Sequence, residues 1–203
     1  QVQVVVRRQR GVVVNGHVVS LKYCATCNIY RPPRCSHCKV CDNCVDRFDH
    51  HCPWLGTCVG RRNYVTFVSF VLATTLLACF VMGSSLYVLH LEGANGLMGM
   101  SIFLGAQRHP DVAGLAVFTC LSLLFLLLLS GMHIMLLSTN VTTSEQMKGV
   151  WRDRENVYDR GIWVNVRQAM CSPVPPSLVW PGSGDSAQSA AFDVEQAVGA
   201  DDG

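Results

Sequence analysis

The sequence predicts a membrane protein: two transmembrane α-helices carrying a small cytosolic Cys-rich domain of β-hairpins that zinc holds together. Three observations predict it. Residues 65–88 and 112–138 contain no Asp, Glu, Lys or Arg, and about 20 apolar residues suffice to cross a bilayer. Eight of the eleven cysteines fall between positions 24 and 58, with three histidines among them. Basic residues crowd both flanks of the apolar runs, with only Arg108 between them. A net charge of +2 gives no case for a nucleic-acid partner.

Taken in order, residues 1–64 form the head. The chain begins at Gln1 rather than Met and shows no signal peptide, so a true N-terminus upstream is expected. Residues 2–22 read as strands, with Asn15-Gly16 a tight turn between two valine runs. The hairpin leads into Cys24-x-x-Cys27, His37-Cys38-x-x-Cys41-x-x-Cys44 and His51-Cys52. Disulfide frameworks have no use for interspersed histidine, whereas zinc takes imidazole and thiolate together. So small a segment builds little apolar core, and metal would supply its folding energy. Bound zinc and free thiols place the head on a reducing, cytosolic side.

Residues 65–88 and 112–138 are the spans, too long and too apolar all round for soluble helices; a buried core helix is the alternative. Residues 89–111 form the loop between them, luminal or extracellular. Within it, 96–104 is apolar but too short to span, and is expected at the interface or in a re-entrant loop. Ten Lys and Arg precede position 65 and five follow 138, which puts both flanks in the cytosol. His133 lies in the second span, where it serves function or bonds a neighbouring helix. Ser69, Ala73 and Ser84 are small residues where a neighbouring helix could approach. Residues 139–171 follow on the cytosolic side, and Thr142-x-x-Glu145 fits a capping box. Residues 172–203, rich in Gly, Ser, Ala and Asp, read as a disordered tail. Beyond the two similar spans no internal repeat is evident.

Two tetrahedral zinc sites would consume eight of the eleven Cys and His groups in the head, leaving three over. Asp49-His50-His51-Cys52 packs a carboxylate, two imidazoles and a thiol into one stretch. A histidine can favour a thiolate, and a carboxylate can orient that histidine. By spacing alone all four could instead be structural.

The ordered series Cys24-x2-Cys27-x3-Arg31-Pro32-x-Arg34-x2-His37-Cys38-x2-Cys41-x2-Cys44-x4-Asp49-His50-His51-Cys52-Pro53-Trp54, then Cys58-Val59-Gly60-x2-Asn63-Tyr64, resembles the Cys-rich domain of the DHHC-type protein S-acyltransferases, or palmitoyltransferases. Thr142-Thr143-x-Glu145 resembles the TTxE motif of that family, and 156–165, with Tyr158, Gly161 and Trp163, its C-terminal motif. The resemblance implies interleaved zinc sites: Cys24, Cys27, His37 and Cys44 in one, Cys38, Cys41, His51 and Cys58 in the other. It makes Cys52 the acylated nucleophile, His50 its base and Asp49 the orienter of His50, and leaves Cys35 a spare thiol. It implies two zinc ions as cofactors, acyl-CoA as co-substrate, and protein substrates with membrane-proximal cysteines. It also implies a bilayer environment in the Golgi, the ER or the plasma membrane, and leaves room for an accessory subunit. Arg61 and Arg62 would meet CoA phosphates or serve as positive-inside anchors; Trp54 would pack near the acyl thioester or at the bilayer interface.

Two departures stand out. Thr57 replaces the usual Asn before Cys58. The family usually has four spans, so the first pair is apparently missing here and the acyl cavity would lack part of its wall. An enzyme is the leading reading. A membrane-anchored zinc module that binds partners, or a truncated inactive member, are the alternatives.

Overall fold

A computed structural model describes residues 10–93 and 98–173; the tail beyond 173 and the valines before Arg10 lie outside them. The described chain divides into two compact units. Among the described residues, one combines 10–64 with 136–173, and the other falls within 65–135.

The first unit is built from four two-stranded antiparallel hairpins. The first pairs β1, Arg10–Val14, with β2, His17–Leu21. Its turn is the expected one: Asn15 and Gly16 both take positive φ, 49° and 81°, as a two-residue turn matched to strand twist requires. The tip is fastened by Asn15 Nδ2 donating to the Val157 carbonyl at 2.8 Å.

The next three hairpins are β3, Tyr23–Cys24, with β4, Ile29–Tyr30; β5, Ser36–Cys38, with β6, Asn43–Val45; and β7, His50–Cys52, with β8, Thr57–Val59. They are copies of one frame. Cys24, Cys38 and Cys52 follow one another at equal intervals of 14 residues. Each pairs with the residue five positions on: Cys24 with Ile29, Cys38 with Asn43, Cys52 with Thr57. Each frame turns on a left-handed residue at the same place, Asn28, Asp42 or Gly56. This corrects the expectation of no repeat in the head. The period is hidden because only the two ends of each frame are fixed by geometry, and side chains differ elsewhere.

After the second apolar helix the chain returns to the first unit. Asn140 takes φ 49°. Thr142 then caps the short helix α4, Thr143–Met147, with the full reciprocal capping box to Glu145, as the Thr-x-x-Glu spacing predicts. Helix α5, Ile162–Cys171, follows Gly161 and turns Asn165 and Ala169 inward. Asn165 is fully buried; its Nδ2 donates to the Ser138 carbonyl at 2.8 Å and also bonds Asp159.

The second unit holds the apolar helices: α1, Tyr64–Glu92, extends beyond the charge-free run at both ends, and α3, Pro110–Ser138, begins before its run and ends with it. Among the described residues these two are long and apolar enough to cross a membrane, yet only 22% and 11% of their most apolar windows are buried. A soluble core helix would be mostly covered; here Phe70, Leu76, Phe80, Leu121, Phe125 and Leu128 are exposed, a surface suited to lipid. The helices meet through Thr75 Oγ1 and Ser130 Oγ, 2.7 Å apart and buried, and through Phe67, whose ring stands edge-on to His133 at 5.1 Å. Ser69, Ala73 and Ser84, the small approach points, are exposed. Residues 98–108 form a helix, α2, Met98–Arg108, which accounts for the apolar stretch between the spans. It lies against the end of α1 so closely that a Cβ on Gly93 or Gly105 would overlap the backbone of Ser101 or Leu89.

Candidate metal and thiol centre

The frames place two sets of donors. In the first, Cys24, Cys27, His37 and Cys44 bring one ligand atom each within 4.8 Å of the others; in the second, Cys38, Cys41, His51 and Cys58 do the same. His51 Nδ1 lies 3.4 Å from Cys41 Sγ, 3.6 Å from Cys58 Sγ and 3.7 Å from Cys38 Sγ. His37 Nδ1 lies 3.4 Å from Cys27 Sγ and 3.9 Å from Cys44 Sγ. A tetrahedral zinc site with bonds of about 2.0–2.3 Å has edges of about 3.3–3.8 Å, so either set could hold such an ion. The exposed Asp42 carboxylate stands 3.6 Å from His37 Nε2, beyond hydrogen-bond reach. Burial, with Cys27 and Cys24 beside it, pushes the Cys44 thiol far up, and burial with Cys38 and Cys41 does the same to Cys58. Crowded thiols that oppose one another's ionisation are relieved by a divalent cation.

The sets interleave through the middle hairpin. His37 and Cys44 are cross-strand partners and serve the first set, whereas Cys38 and Cys41 serve the second. Neither set can assemble without β5 and β6.

Cys52 belongs to neither set. It is buried, 7% exposed, at the end of β7. His50 hydrogen-bonds it, and His50 Nδ1 lies 2.7 Å from Asp49 Oδ2. Asp49, only 2% exposed, is held from several sides. Thr143 donates to it through its backbone N–H at 2.8 Å and through Oγ1 at 2.7 Å. Its own N–H donates to the Val59 carbonyl, and its carbonyl accepts from Ser144. Burial pushes the Asp49 carboxyl up, but His50 and the two Thr143 donors more than reverse this and hold it below the usual carboxylate range. The bond to Asp49 raises the His50 imidazole, with burial opposing and Cys52 assisting. Burial pushes the Cys52 thiol up; the N–H of Leu55, then His50, then the N–H of Trp54 outweigh it and leave the thiol below its ordinary value. Such a thiol ionises readily and is a competent nucleophile.

Thr143 is the residue that sequence reasoning missed: the TTxE motif was visible, its contact with Asp49 was not. A larger network holds α4 in place. Arg34, itself at positive φ, bonds both oxygens of Glu145 at 2.8 Å and stacks on Tyr158. Its remaining N–H groups reach Oδ1 and O of Asn140, and Arg47 adds a further bond to Asn140 Oδ1 at 3.1 Å. Of the other candidates, Arg61 is half exposed and 3.4 Å from Asp46, and Arg62 is exposed. Trp54 is 93% exposed. Burial pushes the Cys35 thiol up to about 11, the opposite of Cys52.

The centre thus combines a thiol beside an imidazole and a buried carboxylate with two sets of metal-ligand geometry. The family model described as DHHC palmitoyltransferase matches residues 17–150. The chain is 41% identical over 201 residues to palmitoyltransferase ZDHHC18-B of Danio rerio, covering 93% of this chain and 50% of the relative. It is 43% identical to ZDHHC18 of Mus musculus over 182 residues, covering 85% and 46%. It is likewise 43% identical to ZDHHC14 of Mus musculus over 180 residues, covering 85% and 36%. The chain belongs to the DHHC palmitoyltransferase family. It spans about half the length, or less, of these curated relatives.

Proposed function

We propose that this chain is a protein S-acyltransferase. In this reading Cys52 takes a long-chain, palmitoyl-like group from acyl-CoA and passes it to cysteines of membrane-associated proteins. The observation that carries it is the continuous hydrogen-bonded series from Thr143 through Asp49 and His50 to Cys52, in a family whose curated relatives are named palmitoyltransferases.

His50 accepts the Cys52 proton, and Asp49 keeps the imidazole oriented and stabilises its charged form. The thiolate attacks the thioester carbonyl; the new C–S bond forms as the bond to CoA breaks, and the CoA sulfur leaves with the proton from His50. A substrate thiol then gives its proton to His50 and attacks the acyl carbon. Cys52 leaves as thiolate. One thioester replaces another at each step, so no further energy source is required. Zinc held by Cys24, Cys27, His37 and Cys44, and by Cys38, Cys41, His51 and Cys58, would supply the structure that holds the hairpins in place. Arg61 and Arg62 are placed by this reading on CoA phosphates, and Asp46 would release Arg61 to reach them.

In the same reading 65–88 and 112–138 cross an endomembrane or plasma membrane, 89–111 lies on the far side, and the head is cytosolic. A sixteen-carbon chain buried in apolar surroundings gains about 0.8 kcal/mol per CH₂, which suits a chain that carries lipid-exposed helices. The test is to incubate the purified chain in lipid nanodiscs with an alkyne-tagged palmitoyl-CoA. Hydroxylamine-sensitive label on Cys52, absent from Cys52→Ser, is expected; label elsewhere or none would overturn the reading.

A further inference from the structure

The equivalence of the three hairpin frames extends to the sulfur atoms. In the first, the backbone N–H groups of Cys27 and Thr26 donate to Cys24; in the second, those of Cys41 and Val40 donate to Cys38; in the third, those of Leu55 and Trp54 donate to Cys52. The three sulfurs are buried alike, at 6%, 6% and 7%. The cross-strand register is the same in all three, as is the left-handed residue that closes the turn. Two frames carry a second thiol three positions after the first, Cys27 or Cys41, and there both sulfurs belong to a metal set. The third carries Leu55.

We infer that Cys52 occupies the first-ligand position of a third metal knuckle, and that Leu55 is the residue that keeps it a free thiol rather than a ligand. The frame presents two N–H groups to a sulfur wherever it occurs, a geometry that suits a metal-bound thiolate. A single thiol with one adjacent imidazole gives a thiophilic cation too few donors to stay. A second thiolate at position 55 would complete the chelating pair, with His50 beside it as a third donor. Leu55 is 48% exposed, so an incoming cation would meet no covering side chain there. Leucine at this position is therefore a specificity-determining choice: it separates the frame's ability to hold a thiolate from its ability to bind metal.

This inference rests on the reading of Cys52 as the nucleophile, and the experiment separates the two. Leu55→Cys and Leu55→Ser are prepared in the full chain, purified with zinc present, dialysed, and assayed for zinc per chain and for acyl label on Cys52. Wild type and Leu55→Ser are expected to hold the same metal. Leu55→Cys is expected to hold one further equivalent and to lose label on Cys52, and cadmium exchange should raise its sulfur-to-metal absorption in proportion. Unchanged metal content in Leu55→Cys overturns the inference, as does an added equivalent with undiminished label. An added equivalent in Leu55→Ser also overturns it, because a hydroxyl does not supply the second thiolate that the knuckle needs. If wild type carries no label on Cys52, the acyltransferase reading fails, while the metal count still decides whether the third frame is a knuckle.

Discussion

Asp49 accepts from His50 and from Thr143 on the same carboxylate oxygen, Oδ2, so orientation of the imidazole and placement of α4 are set by one side chain. His50 and His51, adjacent in sequence, point to different partners because strand neighbours face opposite sides. His50→Ala is expected to slow acylation of Cys52 while metal content stays at wild type. His51→Ala is expected to lose metal from the second set. Equal metal loss in both would contradict this division. The thiols separate too. A thiolate fraction grows as pH rises toward the group's pKa, and Cys52 sits below the ordinary thiol range while Cys35 sits near 11. Iodoacetamide at neutral pH should therefore modify Cys52 before Cys35, with Cys35 catching up only at alkaline pH; peptide mapping over time reads the order. At this scale the sequence was informative where chemistry fixes spacing. The C-x-x-C and His-Cys pairs announce zinc, because a small cation demands four close donors; which groups share an ion came from the family resemblance. The contact of Thr143 with Asp49, 94 residues apart, leaves no local trace.

Among the elements, α4 is only five residues long, too short to persist alone. It is held by its capping box and by Arg34. The Arg34–Glu145 pair is nearly buried, with side chains 8% and 13% exposed, and removing one partner of such a pair costs about 3–5 kcal/mol. Glu145→Ala should lower the unfolding midpoint of the head accordingly in chemical denaturation followed by Trp151 fluorescence. A midpoint within error of wild type would show that Asn140 alone satisfies Arg34. The capping box was legible, since a cap is a local device; its second task, receiving Arg34, was not, because positions 34 and 145 meet only after the chain has gone out and back. The hairpin at Asn15-Gly16 was legible for the same local reason. The helix α2 between the spans was not, since its stretch was judged by its length against a bilayer. Its packing depends on glycines at 93 and 105 whose value lies in missing side chains.

For the molecule as a whole, metal is the expected keystone. The described head has few large apolar side chains fully covered; the buried set includes Cys24, Cys38, Cys52, Cys58 and Val59. Purified chain is expected to carry close to two zinc ions. A strong chelator should release both in one cooperative step that also unfolds the hairpins, because β5 and β6 serve both sets. Two separated steps would contradict that sharing. For sidedness, glycosylation acceptors placed near Gly93 should be modified, and acceptors near Gly182, outside the described residues, should not; modification at Gly182 would reverse the orientation.

The long separation between Asp49 and Thr143 has a consequence for the newborn chain. Every metal ligand lies upstream of α1, so the hairpins can close on their ions before either apolar helix has left the ribosome. Thr143 and Glu145 emerge only after both. At about 5–20 residues per second, the 94 intervening residues represent roughly 5–20 s during which Cys52 is folded in place but its imidazole is not yet steadied by an anchored carboxylate. On the reading of Cys52 as the acyl carrier, full reactivity arrives only once translation has passed the second span, so a nascent chain stalled before Thr143 would carry closed hairpins whose Cys52 acylates more slowly than in the complete fold.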